Sequence, residues 1–234
     1  MRLHLDILET PQRLFWSQLG PRVPPRFVLY GGTAIALRLG HRRSVDFDFF
    51  TDRPLGPEEL ERRLPSLARA KTLQRSPRTL ILSLPIGGAD VKLSFFAGIG
   101  IGRVGDPERA GNRVLIASPL DLLATKLKAL HDRVEAKDYL DIEALLRSGL
   151  DLSKGIMAAR TLFGESLNPL DTAKAVGWFK DGDLEVLLPA KTRSFLGRAS
   201  GRFDPGEPAV PRRSASLALA ERNSVKTMDE TQER

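Results

Sequence analysis

Apolar and polar positions alternate with period two in the first half of the chain, the pattern of half-buried strands. Residues 27–30 are apolar throughout, and residues 79–85 and Ala89–Phe96 flank Gly87-Gly88 as a predicted hairpin. A strand at residues 45–50 is predicted to have one apolar face and one mixed face. The apolar face carries Val45, Phe47 and Phe49, and the mixed face carries Asp46, Asp48 and Phe50.

Spacings of three and four between apolar residues predict helices in the rest of the chain. In the first half they lie at residues 7–19, 33–39 and 57–67, so the predicted order is α, β, α, β, α, β, β. In the second half Ser118 is a predicted N-cap and Pro119 a first helical residue. The helix that they open is followed by predicted helices at Ala136–Arg147, Leu152–Phe163 and 169–179.

These patterns predict an α/β core with a mixed sheet at residues 1–112 and a helical subdomain at residues 113–198. From about Ala199 the chain is rich in Gly, Pro, Ser and Arg. Such a composition predicts a poorly ordered basic tail at residues 199–234, with one short helical stretch at 214–222.

Composition narrows the class of protein. The 234 residues are 41% apolar and 28% charged, which is enough to bury a core. Cysteine is absent, which excludes disulfides and thiolate metal sites and fits the cytoplasm. No stretch has the roughly 18 apolar residues of a membrane span, and we expect no signal peptide and no membrane association. The net charge of +7 favours a polyanionic partner, although nine Lys or Arg and six Asp or Glu lie from Lys191 onward, so the body is only mildly basic.

The mixed face at residues 45–50 is the first candidate for chemistry. Asp46 and Asp48 are two residues apart and share one face of a strand, an arrangement that holds Mg²⁺ or Mn²⁺ beside phosphate oxygens. The alternative is a solvated polar face without a ligand. Upstream, Gly31 and Gly32 offer unobstructed backbone N–H groups at a helix start, and Thr33 adds a hydroxyl. The alternative for that turn is a tight strand-to-helix connection.

Three polar residues just before the carboxylates admit two interpretations each. Arg42 and Ser44 are candidates for phosphate contacts, although an arginine here also suits a salt bridge that fixes the acidic strand. His41 is more typical of a hydrogen-bonded structural residue than of a catalyst.

Two stretches resemble a known family. Residues 31–50 resemble the signature of the AbiEii/AbiGii nucleotidyltransferase toxin family, a branch of the DNA polymerase β-like nucleotidyltransferase superfamily; they read GGTAIALRLGHRRSVDFDFF. Residues 126–142 resemble the family's downstream motif and read KLKALHDRVEAKDYLDI. Two motifs in the correct order are more specific than either alone, and the resemblance covers about residues 28–146.

The resemblance implies a nucleotidyltransferase fold with Mg²⁺ or Mn²⁺ on Asp46 and Asp48. It places the phosphates of an NTP over Gly31, Gly32 and Thr33, and implies nucleotidyl transfer with release of pyrophosphate. It further implies an RNA acceptor, including the 3′ end of tRNA, and a toxin of a type IV toxin–antitoxin or abortive-infection system with an antitoxin encoded beside it. Lys126, Asp138 and Asp141 match positions that the family uses near the site. The alternative for that motif is helix-surface pairing, such as Lys137 with Asp141, worth about 0.2–0.5 kcal/mol.

One position departs from the superfamily pattern. Members bring a third carboxylate from a neighbouring strand, and the matching residue here is Ser94, which is not a strong base. Asp90 shares its face but lies about 13 Å along the strand. Either Asp90 replaces the carboxylate after a register shift, or one metal alone is well held, or nucleotide binds without efficient transfer. Lys92, between them, is a candidate for neutralising phosphate charge.

Three functions are therefore weighed. The first is an enzyme that transfers a nucleotidyl group to an RNA or protein hydroxyl, oriented by Asp90 or Asp138, with Lys126 and Arg133 on one helix face as phosphate or acceptor contacts. A solvated basic face is the alternative for those two cations. The second is a degenerate fold that binds nucleotide or RNA without efficient transfer. The third, nucleotidylation of a small molecule, is disfavoured by the basic charge.

Overall fold

One mixed sheet of seven strands organises the computed structural model, which describes residues 2–182 and 184–220. The strands are β1 (Val28–Tyr30), β2 (Asp46–Phe50), β3 (Lys71–Ser76), β4 (Thr79–Ile86), β5 (Ala89–Phe96), β6 (Glu108–Arg109) and β7 (Leu115–Ile116). Their order across the sheet is β3-β4-β5-β2-β1-β7-β6. The central strand β2 is parallel to β5 and antiparallel to β1.

Helices flank this sheet and fill the second half of the chain. Those described are α1 (Thr10–Leu19), α2 (Gly31–Leu39), α3 (Pro57–Arg63), α4 (Pro119–Asp132), α5 (Ala136–Arg147), α6 (Leu152–Phe163), α7 (Pro169–Val176), α8 (Leu184–Leu187) and α9 (Ala190–Ser200). Ser118 caps α4 by accepting a hydrogen bond from the Asp121 backbone N–H, as the Ser-Pro pair predicted. No helix among the described residues has the length and apolar character that a membrane crossing requires.

The core lies against one face of β2. Phe47 and Phe49 are fully buried there, and the Phe49 ring stacks on Phe95 of β5 with centroids 5.4 Å apart. Phe15 and Trp16 of α1 cover Phe47. Slipping β2 by one residue would exchange these rings for the two aspartates, so the core fixes the register. Asp46 and Asp48 must therefore face the other side of the sheet.

The α/β class and most predicted elements are confirmed, with differences at proline and glycine. The predicted helix at 57–67 ends at Arg63, because Leu64 precedes Pro65 and a residue before proline disfavours the helical conformation. The predicted helix at 169–179 ends at Val176, before Gly177. Elements that the periodicity did not predict are β3, β6, β7, α8 and α9.

The expectation of a poorly ordered tail from residue 199 is wrong for residues 199–220. Ser214 pairs with Arg103, whose guanidinium donates to the Ala218 carbonyl at 2.8 Å, and Leu217 is fully buried. Arg103 and the buried Leu217 anchor this segment to the rest of the protein, although its Gly, Pro and Ser content predicted disorder. The predicted helical stretch does not form over residues 214–220. Residues 221–234 lie outside the described part of the chain, and the division at residues 112 and 198 stays a prediction.

Candidate functional site

Asp46 and Asp48 lie on the face of β2 that the core leaves free, as predicted. Asp46 is opposite Lys92 of β5, and the Lys92 Nζ lies 3.5 Å from the Asp46 Oδ2. Asp48 is opposite Ser94, which is buried and hydrogen-bonds the Asp48 carboxylate. The pairing of β2 with β5 thus brings two acids, one lysine and one serine together.

The electrostatics of this pair suit a cation. Burial raises the pKa of Asp48; the Ser94 hydrogen bond opposes that rise, and the charge of Asp46 adds to it. The net effect is a raised pKa, so ionised Asp48 is short of positive charge. A divalent cation supplies such charge and takes carboxylate oxygens together with phosphate oxygens and water. The donor set of Asp46 and Asp48 therefore fits Mg²⁺ or Mn²⁺.

The glycine turn closes against this carboxylate. Gly31 has φ +72°, and a Cβ built on it would lie 2.5 Å from the Asp48 Oδ2. A Cβ on Gly32 would lie 2.3 Å from Arg42 Nη2. No side chain caps the start of α2, so its first backbone N–H groups are available to an anion. The close approach therefore requires the glycine pair, and this requirement is common to the phosphate-binding interpretation and to the tight strand-to-helix connection.

Thr33 and Ser44 occupy a different place from the one predicted for them. Both side chains are buried, and the Thr33 hydroxyl hydrogen-bonds the Ser44 hydroxyl at 2.9 Å and the Asp46 carbonyl. These bonds join the start of α2 to the start of β2. In this structure the two hydroxyls position the carboxylate strand.

Next to the carboxylates lies a set of interlocked charges centred on the buried side chains of Lys126, Asp138 and Asp141. Together with His41, Arg42 and Arg133, which are partly exposed, they are here called the buried charge cluster. Asp141 accepts from Arg42 Nε at 2.7 Å and contacts His41 Nε2 at 2.8 Å. Lys126 Nζ lies 2.6 Å from Asp138 Oδ1 and 2.8 Å from Asp141 Oδ2. Arg133 Nε donates to Asp138 Oδ2 at 2.9 Å. The cluster joins both sequence motifs through α5 and the end of α4.

Both aspartates of this cluster are ionised. Burial by itself raises the pKa of Asp141, but hydrogen bonds from His41 and Arg42 and the charge of Lys126 outweigh it and hold that pKa well below its usual range. The same balance of burial against Arg133 and Lys126 lowers the pKa of Asp138. Such a carboxylate is a weak proton acceptor, and its geometry orients Lys126 and Arg133.

A pocket of about 420 Å³ opens beside Asp48. Its polar wall consists of Gly31, Asp48, Thr125, Lys126, Lys128, Asp132 and Arg133. Its apolar lining consists of Tyr30, Phe50, Phe96, Ile99, Ile101, Ala129 and Phe163. The rings of Tyr30 and Phe50 stack at 4.8 Å, and Phe96 meets Phe50 edge-on at 5.3 Å. An apolar chamber beside a charged rim suits a ligand with a flat base and phosphates.

Asp90 is not brought to this site. The β2–β5 and β4–β5 pairings run without a shift, and Asp90 lies exposed opposite Pro85 near the hairpin turn. It remains about 13 Å along the strand from Ser94. The register shift that would let Asp90 replace a carboxylate does not occur. The surface ion pair considered as an alternative for Lys137 and Asp141 does not form, since Lys137 contacts Glu135 at 2.8 Å and Asp141 is buried.

Sequence reasoning missed the apolar lining of the pocket. Phe50 carried a usable signal, because it is a large aromatic residue on the same strand face as the two aspartates. Phe163 gave none, since its position follows only from how α6 folds back toward the sheet. In the described part of the chain no three His, Cys, Asp or Glu side chains cluster as metal ligands, so the carboxylate pair stands alone.

Comparison with solved structures defines the class. A Helicobacter pylori protein described as a candidate nucleotidyltransferase matches with a TM-score of 0.56 at 17% identity, covering 83% of this chain and 95% of that one. JHP933 from Helicobacter pylori matches with the same score and identity, covering 85% and 92%. The chain has the nucleotidyltransferase fold.

Comparison with sequence families defines the relationship further. The family model for the nucleotidyl transferase AbiEii toxin of type IV toxin–antitoxin systems matches residues 21–215. The chain belongs to the AbiEii family. An uncharacterized protein of Aquifex aeolicus (strain VF5) is 36% identical over 132 residues, which are 55% of this chain. The match spans 62% of that relative's length.

Proposed function

We propose that this protein is a Mg²⁺- or Mn²⁺-dependent nucleotidyltransferase that transfers NMP from an NTP to an RNA hydroxyl, with the 3′ end of tRNA as the leading acceptor. Membership of the AbiEii family supports a toxin role with a cognate antitoxin. NTPs and tRNA are both found in the cytoplasm, which is where we propose that it acts. The observation that carries the proposal is that Asp48 opens onto a pocket with an apolar wall and the cations Lys126, Lys128 and Arg133. Asp46 lies beside Asp48 on the same face of β2.

Each part of the site has a role in this proposal. Asp46 and Asp48 would hold the metal, which would supply positive charge to the α-phosphate and to the leaving pyrophosphate. The N–H groups at Gly31 and Gly32 and the cations Lys126 and Arg133 bind phosphate oxygens, and the apolar wall takes the base. The acceptor oxygen bonds to the α-phosphorus, the bond from that phosphorus to pyrophosphate breaks, and the hydroxyl proton leaves to water.

Incubation of the protein with Mg²⁺, each α-labelled NTP and total RNA tests this proposal. We expect labelled RNA with the wild type and none with Asp46→Asn. Asp90→Asn is the matched control, since it removes a carboxylate from the same sheet face away from the pocket, and it should label as the wild type does. Absence of label with every NTP would contradict transfer. Growth arrest on expression that Asp46→Asn relieves would support the toxin role, and normal growth with abundant wild-type protein would contradict it.

The second candidate is a degenerate fold that binds nucleotide or RNA without efficient transfer. Ser94 favours it, because the third carboxylate is absent and Asp90 does not reach the site. NTP binding by the wild type without any label in RNA would support this candidate over the first.

A further inference from the structure

The sheet face that carries Asp46 and Asp48 continues across β5, β4 and β3. Paired residues on neighbouring strands project to the same side. One row runs from Asp46 to Lys92, Ser83 and Lys71, and the next from Asp48 to Ser94, Ile81 and Gln74. We call Lys71, Gln74, Ile81, Ser83 and Lys92 the open sheet face.

Solvent reaches this face, in contrast to the core face behind it. Lys71, Gln74 and Lys92 are exposed, and Ile81 and Ser83 are half-buried. The alternate residues of β4, Leu80, Leu82 and Leu84, are buried on the other side. On β3 Thr72 and Arg75 project to the core side, opposite Leu82 and Leu80, and both are exposed. The open sheet face is therefore a surface that a second molecule can reach.

The charges and polar groups on this face match a polyanion. Lys71 and Lys92 are its cations, and Ser83 and Gln74 add hydrogen-bond donors. Among the described, paired residues of β3, β4 and β5, Asp90 is the acid on this side of the sheet. It lies one row beyond Lys92, opposite Pro85. Half-buried Ile81 adds an apolar contact for a base or sugar, beside the cations that would meet the phosphates of a nucleic-acid backbone.

Position links this face to the candidate site. Three strand spacings of about 4.8 Å put Lys71 about 14 Å from Asp46, a distance of a few nucleotides. The pocket lies toward the C-terminal ends of β2 and β5, where Phe50 and Phe96 line it. Its opposite wall comes from α4 and α6 residues such as Lys126 and Phe163. If the NTP fills the pocket, an acceptor can approach Asp46 and Asp48 from the side of β5. On that path it crosses the open sheet face.

We propose that the open sheet face binds the single-stranded nucleotides that precede the acceptor hydroxyl of the RNA. This inference rests on the proposed function and names where its acceptor lies. Lys71 contacts phosphate, Ser83 and Gln74 donate to phosphate or ribose oxygens, and Lys92 bridges the RNA and Asp46. None of these residues lines the pocket beside Asp48.

Binding of a fluorescent single-stranded RNA to the wild type, Lys71→Glu and Arg75→Glu tests the proposal. The two variants make the same charge change on the same exposed strand but on opposite faces. We expect Lys71→Glu to weaken RNA binding roughly three- to tenfold and Arg75→Glu to change it much less. Lys71→Ala should lower the slope of log affinity against log salt by about 0.7, the value for one phosphate contact on a single strand. Ser83→Lys should tighten binding.

Equal weakening by both charge reversals, no weakening by Lys71→Glu, or no RNA binding by the wild type would overturn the proposal. Thermal unfolding and binding of a fluorescent NTP analogue confirm that fold and nucleotide pocket are intact in each variant. RNA binding is measured without nucleotide, so it is independent of transfer. A wild type that binds RNA through Lys71 yet labels no acceptor contradicts the proposed activity and leaves the surface supported.

Discussion

The buried charge cluster and the two carboxylates of β2, Asp46 and Asp48, differ in how many charged partners each carboxylate has. Asp141 is surrounded by Lys126, Arg42 and His41, all within 2.8 Å of its oxygens. Asp46 has one lysine at 3.5 Å, and Asp48 has a neutral serine. The pKa of Asp141 is accordingly lowered and that of Asp48 raised. The two aspartates of the cluster are neutralised by its own cations, whereas Asp46 and Asp48 need positive charge from outside.

Lys126 connects the two regions. Its ammonium is held by two aspartates and also lines the pocket, where its charge lowers the pKa of Asp48. Because both aspartates anchor it, Lys126 does not move over to neutralise Asp48. The cluster therefore fixes a cation at the pocket wall, which is a positioning role, whereas Asp46 and Asp48 are where we propose that the metal binds. This contrast predicts different consequences for similar substitutions.

The largest effect is expected from Asp141→Asn. It leaves buried Lys126 and partly exposed Arg42 short of their counter-charge. Breaking a buried ion pair costs about 3–5 kcal/mol of the free energy of unfolding. Urea unfolding of both proteins measures the loss. Asp132→Asn is the matched control, because Asp132 pairs with Lys128 on an exposed surface of the preceding helix, and it should cost about 1 kcal/mol or less. Equal losses would show that the cluster does not support the fold.

Asp48→Asn is expected to have the opposite effect: a large loss of transfer activity without a loss of stability. Loss of a metal ligand should lower the transfer rate at least roughly 100-fold, which corresponds to about 2.7 kcal/mol. Since burial makes ionised Asp48 unfavourable in the folded state, the neutral amide should leave the free energy of unfolding equal or higher. Label transfer and urea unfolding on the same preparation separate the two effects. A variant that loses stability and keeps transfer would reverse the assignment of the two regions.

The two regions differ in how much of each can be predicted from the sequence, and the reason is physical. The arrangement of Asp46 and Asp48 depends on local sequence, because period two puts both on one face of β2. The register of β2 with β5 follows from the apolar residues of the two strands. The cluster depends on contacts between distant residues, since Arg42 and Asp141 are 99 residues apart. Strand β3 was missed because its side chains are exposed on both faces and show no alternation. The family resemblance nevertheless marked Lys126, Asp138 and Asp141, without showing that they contact one another.

A smaller effect is expected from Gly32→Ala, which links the two regions. The new methyl would meet Arg42 Nη2, so the guanidinium must shift and its hydrogen bond to Asp141 Oδ2 weakens. Overpacking of this kind costs about 1–3 kcal/mol, and the helix propensity of alanine returns up to about 1. Gly197→Ala in α9 is the control, because nothing lies within 4 Å of its added methyl and it should stabilise the protein. Equal stabilisation by both substitutions would show that Arg42 is free to move.

The smallest effect is expected from mild acid. Because the pKa values of Asp138 and Asp141 are lowered by folding, their contribution to stability is fully present above the unfolded aspartate pKa of about 3.9 and is lost as pH falls below it. Below that pH the unfolded chain binds more protons than the folded one, so stability falls as pH decreases. Between neutrality and about pH 5 these two groups should change it little. Urea unfolding across pH should show a shallower acid loss for Asp141→Asn than for the wild type, and parallel curves would mean that Asp141 contributes nothing through its charge.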